Sequence, residues 1–83
     1  MLTINNEGEK QSMMPLPVAP QGEPMTILRL GGSRELQSHL EDMGFVAGGM
    51  VTVISAIEGN LIVNVKDTRV ALGRELAIKI MVQ

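Results

Sequence analysis

Residues 50–72 read Met50-Val51-Thr52-Val53-Ile54-Ser55-Ala56-Ile57-Glu58-Gly59-Asn60-Leu61-Ile62-Val63-Asn64-Val65-Lys66-Asp67-Thr68-Arg69-Val70-Ala71-Leu72. The first eight are rich in β-branched side chains, which suit a pleated, half-buried surface better than a helix. Gly59-Asn60 is a turn signal, and Leu61 to Lys66 is the return strand of a hairpin. Asp67-Thr68 then turns tightly into a further strand, Arg69 to Leu72.

The same alternation continues outward. Upstream, Met25 to Leu30 is a strand candidate that stops at Gly31-Gly32. Ser33 offers a helix N-cap, and Glu35 suits the positive end of the helix dipole. Leu36, Leu40 and Met43 recur at i, i+4 and i+7, which places them on one helical face. Gly44 closes that helix as a left-handed cap. Downstream, Gly73 to Leu76 reads as one helical turn. Ala77 to Val82 reads as a last strand, with Ile78, Ile80 and Val82 alternating. The sum is mainly β: about five short strands, one short α-helix and a helical turn before the last strand. Such a set points to a small closed barrel, whose closure would protect its Val- and Ile-rich edges.

The flanks are less regular. Residues 14–24 hold all four prolines, so this stretch is expected to be extended and irregular. Leu16 and Val18 either anchor it across the core or belong to a plain linker. Residues 1–13 are mostly polar without a sustained period and are expected to be disordered, leaving 14–83 as the domain.

Composition narrows the function. Eighty-three residues allow one domain with a modest core. There is no cysteine, hence no disulfide and no thiolate metal site. Phe45 is the sole aromatic, so platforms for stacking nucleobases are missing. Seven basic against nine acidic side chains give a net charge of −2, the wrong sign for a phosphate-binding domain. No apolar run approaches the roughly 20 residues that span a bilayer, and the first residues lack the pattern of a secretory signal. These features predict a cytoplasmic protein without direct membrane insertion.

Three stretches, taken in order and at their spacing, resemble the FeoA family. They are Leu28-Arg29-Leu30-Gly31-Gly32, Leu40-Glu41-Asp42-Met43-Gly44-Phe45-Val46-Ala47-Gly48, and Val70-Ala71-Leu72-Gly73-Arg74-Glu75-Leu76-Ala77 with Ile80 and Val82. There are two departures from the family pattern. Ala47 stands where proline is usual, and Ser38 and His39 stand where arginine is frequent. The resemblance implies an SH3-like barrel. It also implies an accessory role in bacterial ferrous-iron uptake, beside the FeoB-type permease and its cytosolic GTP-binding domain.

Chemistry on the chain is sparse. Ser33, Ser38 and Ser55 share one candidate base, His39, and no Gly-rich elbow is present. The paired glycines lack the Lys-Ser/Thr ending of a phosphate loop. An enzyme is therefore rejected. His39, Glu41 and Asp42 form the only cluster with metal-ligand chemistry; imidazole and carboxylate suit Fe(II), but two or three such groups explain themselves equally as a polar helix flank. No metal site or cofactor is assigned, and Fe(II) or another divalent transition ion would be held weakly at most. Lys66, Arg69 and Arg74 could form a small basic face for an acidic partner, or simply be solvated. The resemblance puts the permease-binding surface at the helix end, His39, Asp42, Phe45, Val46 and Gly48, together with the turn Leu72, Arg74 and Glu75. The competing expectations are a transition-metal sensor module without a transport partner, and a nucleic-acid-binding barrel that charge and aromatic content disfavour.

Overall fold

The computed structural model describes residues 13–83. Apart from Met13, which is exposed, the segment expected to be disordered lies outside the described residues. The elements are β1 (Met14–Pro15), a 3-10 turn (Leu16–Val18), β2 (Pro24–Leu30), α1 (Arg34–Asp42), β3 (Met50–Ile57), β4 (Asn60–Val65), β5 (Thr68–Leu72), α2 (Arg74–Ala77) and β6 (Ile80–Val82). The strands form one antiparallel sheet in the order β1-β6-β2-β3-β4-β5.

The sheet curls because β2 serves two neighbours. Its first half pairs with β3, Met25 opposite Val51, and its second half pairs with β6, Ile27 opposite Val82. A register shift between Ile27 and Arg29 marks the bend. At the junction the Ile27 N–H donates to the Gly49 carbonyl (2.8 Å), and the Thr26 and Gln83 backbones bond each other both ways (2.9 Å each). The result is the mainly β, SH3-like barrel expected. The hydrogen-bonded order ends at β1 and β5, which do not pair with each other among the described residues, so the ladder is open on one side.

Alternation along the strands fills the interior. Val51 and Val53, then Leu61, Val63 and Val65, then Leu72 point inward and are at most 2% exposed. Leu16, Ile27, Leu40, Phe45, Ala77, Ile80 and Val82 complete the core. Among the described residues no polar side chain is buried, so apolar packing carries the fold.

Helix α1 forms as its caps direct. The Ser33 hydroxyl accepts from the Leu36 N–H (3.1 Å). At the other end the Gly44 N–H donates to Glu41 (2.9 Å) and the Phe45 N–H to Leu40 (3.0 Å), the paired bonds of a Schellman cap. Gly44 has φ +109°, which a side chain would resist. Leu40 is fully buried, and Leu36 and Met43 pack partly buried against the core, as their spacing requires.

Several details differ from the sequence reading. The first hairpin turns at Glu58–Gly59, both at positive φ, with Ile57 paired to Asn60; Asn60 opens β4 rather than making the turn. The second turns at Lys66–Asp67, with Val65 paired to Thr68. The helical turn runs to Ala77, which shortens the last strand to Ile80–Val82 and leaves Ile78 48% exposed. In the proline-rich stretch Leu16 is fully buried, so it anchors there, whereas Val18 is exposed and Ala19 packs instead. The sixth strand is β1, two residues paired with β6; its Pro15 and the prolines around it hide a strand from any propensity argument.

Candidate functional site

The residues expected to bind a partner fall into two groups. His39 and Asp42 are exposed on the last turns of α1. The loop after the helix bends twice to enter β3. The Gly48 N–H donates to the Ile27 carbonyl (2.7 Å), and the Gly49 N–H to the Val46 carbonyl (2.9 Å). This holds Val46 half-buried and Gly48 exposed at φ +90°. Phe45 differs: its side chain is fully buried beneath the cap and cannot meet a docked partner. The cap itself explains this, because the residue after a Schellman glycine packs back on the helix.

The second group lies where β5 gives way to α2. Arg74 and Glu75 are exposed. Leu72 is 1% exposed and belongs to the core. The Arg74 N–H donates to the Asn60 side-chain oxygen (2.9 Å), so β4 supplies the cap that Gly73 cannot. The stem of Arg74 lies over Gly59 so closely that a Cβ there would come within 2.7 Å of Arg74 Cδ.

These groups do not form one surface. A Cβ on Gly44 would stand 3.7 Å from Val65 and Lys66, which places the helix end at the Val65 end of β4. Arg74 is bonded at the Asn60 end of the same strand. Five residue steps of strand separate the two, roughly 17 Å.

Sequence reasoning missed a groove at the Asn60 end. It has a volume of about 250 Å³ and is lined by Ser55, Ile57, Asn60, Ile62, Ala71 and Gly73, with Leu61 and Leu72 beneath. Ile57 is 70% exposed. A one-residue register shift between Val53 and Ser55 turns Ser55 and Ile57 outward with Ile62 and Ala71. Ile54 and Ile62 face outward by plain alternation with Val53, Leu61 and Val63, whereas Ile57 would continue the inward phase of Val51 and Val53 and is exposed by the bulge.

Among the described residues no group of three or more His, Asp or Glu side chains converges. No described helix is long and apolar enough to cross a membrane.

A family model described as "FeoA domain" matches residues 14–83. The chain belongs to the FeoA family. That family comprises ferrous-iron transport accessory proteins. An Fe(2+) transport protein A of Methanocaldococcus jannaschii is 34% identical over 71 residues, 86% of this chain and 87% of its own length. The crystal structure of an iron uptake regulatory protein (FeoA) superposes with a TM-score of 0.78 at 26% identity, over 87% of this chain and 96% of that one. A manganese-dependent transcriptional repressor in complex with manganese superposes with a TM-score of 0.77 at 20% identity. The match covers 86% of this chain and 36% of the repressor, a likeness of fold alone.

Proposed function

We propose that this FeoA chain is a cytosolic accessory protein of ferrous-iron uptake that docks on the cytosolic part of a FeoB-type permease and modulates it. The observation that carries the reading is the family match over residues 14–83, which spans every described strand and helix. A module of this kind acts by binding one conformation of its partner better than another, because only a differential affinity can shift the partner's equilibrium. The chain itself performs no catalysis in this reading. Ser33 is engaged as the cap of α1, and the sole histidine, His39, sits exposed on that helix. The protein remains at the inner face of the membrane through its partner.

The docking residues lie at two ends of the barrel: exposed His39, Asp42 and Gly48 with half-buried Val46 at one, and exposed Arg74 and Glu75 beside the groove at the other. The test is affinity purification of the tagged chain against detergent-solubilised membranes of its host, in apo, GDP and GTP-analogue states. Recovery of a large GTP-binding permease, identified by mass spectrometry, is the expected result. Failure to recover it in every nucleotide state ends the proposal.

A further inference from the structure

Strand β5 has a neighbour on one side only, β4. No strand pairs with its other side among the described residues. A free edge of this kind presents backbone donors and acceptors that an added strand can use. Its outer-face side chains are Arg69 and Ala71. Ala71 stands beside Ile62 and Ser55 and forms the shallow wall of the groove. Arg69 stands beside Asn64 and Thr52, so no carboxylate shares its row of the sheet. At the far end of the groove Arg74 differs, since Glu75 adjoins it in the chain and Glu58 adjoins the Gly59 that it covers.

We propose that the β5 edge and its groove receive an extended acidic segment of a partner protein as an added antiparallel strand. The inference rests on the reading of this chain as a partner-binding module and names the chemistry that its partner would present. Residues directly opposite on neighbouring strands share a face and touch. The residue opposite Ala71 must therefore be large and apolar, because alanine leaves the groove above Ile62 unfilled. The residue opposite Arg69, two positions further along the added strand, must be a carboxylate. In an antiparallel strand the order is apolar, any residue, acidic.

Charge selects this occupant over a second copy of the chain. Self-pairing centred on Val70 sets Arg69 opposite Ala71, and centring on Ala71 sets it opposite Gly73. Centring on Arg69 opposes two guanidinium groups, which repels. Centring on Thr68 sets Arg69 opposite Asp67, but that residue lies in the turn outside β5 and leaves a single β5 residue paired with β5 of the copy; every register that pairs more leaves the cation unanswered.

The test uses the full chain and a fluorescein-labelled peptide amide, Thr-Thr-Leu-Thr-Glu-Thr-Thr. Fluorescence anisotropy is expected to give saturable binding, with new hydrogen-exchange protection confined to the β5 amides. Arg69→Glu should weaken binding at least tenfold, and a peptide with Lys in place of Glu should restore it. Ala71→Phe, which fills the groove from within, should weaken it similarly. Both positions are exposed, and the charge-swap rescue separates lost recognition from lost folding. Absence of saturable binding at millimolar peptide would overturn the proposal. So would equal affinity for the Arg69→Glu variant, or β5 protection that needs no peptide and rises with dimerisation in sedimentation. The adaptor reading is judged apart from this, because permease recovery by an Arg69→Glu, Ala71→Phe chain would retain that reading while moving the contact elsewhere.

Discussion

The two ends of β4 present opposite solutions to the same problem, where to put apolar side chains near a loop. At the Val65 end, the loop after α1 is pinned by backbone bonds at Gly44, Phe45, Gly48 and Gly49, and its one large side chain, Phe45, is fully buried. At the Asn60 end, Ile57 is 70% exposed and Ile62 37% exposed beside an open groove and an unpaired edge. The loop at the first end puts its hydrophobicity into folding, although Met50 just beyond it is 51% exposed. The second leaves it in solvent, where contiguous apolar surface marks an interaction site more often than a structural one. Substitutions should therefore divide between the two ends, with stability lost at one and binding lost at the other.

The sharpest break in that comparison is Phe45→Ala. Emptying a fully buried aromatic site costs about 3–5 kcal/mol. A domain this small has a stability near the low end of the usual range of about 5–15 kcal/mol. The urea midpoint should fall drastically or the native baseline disappear. A loss below about 1 kcal/mol would show that Phe45 is not the anchor of this end. In contrast, Arg69→Glu on the exposed face of β5, opposite Asn64, should leave the midpoint within about 0.5 kcal/mol of the parent.

Next comes Gly44→Ala, on the order of 2 kcal/mol. The nearest atoms to a new Cβ would be 3.7 Å away, an ordinary contact, so the cost arises from φ +109° and not from crowding. Denaturation of this variant alongside Gly44→Asn separates the causes. Asn tolerates left-handed backbone better and should recover part of the loss.

What the sequence made legible follows from range. The caps of α1 were readable because Ser33 reaches Leu36 and Gly44 lies one residue from Phe45. The inward face of β4 was readable because its apolar residues keep period two. The groove was not, since it depends on a bulge between Val53 and Ser55 that no composition announces. Joining the helix end with Leu72, Arg74 and Glu75 in one surface failed for the same reason, because the placement of those segments at opposite ends of β4 is set by hairpin register. Leu72 itself was misplaced by its position before a turn, although pairing with Leu61 turns it inward.

Asn60 illustrates the limit of local reading. It looks like a turn residue, yet its side chain caps α2 from 14 residues away. Asn60→Ala should cost about 1 kcal/mol, the usual value of a lost cap. Hydrogen exchange should quicken at the amide of Arg74. An unchanged Arg74 rate would mean that the cap is idle in solution.

The smallest effect runs the other way. Lys66 and Asp67 occupy both central positions of a two-residue hairpin turn at φ +51° and +63°, the left-handed region that long side chains occupy at a cost. Asn-Gly is the pair that such a turn prefers. Lys66→Asn with Asp67→Gly should relieve strain at two positions, while the added glycine gives back part of the gain through the unfolded chain. The net expectation is a stabilisation of about 0.5–1 kcal/mol, read as a higher urea midpoint at unchanged slope. Lys66 also lies against Gly44, so replacing its stem removes that contact. Testing Asp67→Gly alone isolates the backbone term. If the single change stabilises and the double change does not, the Lys66 stem contributes to the closed end of the barrel, and the contrast between the two ends of β4 deepens.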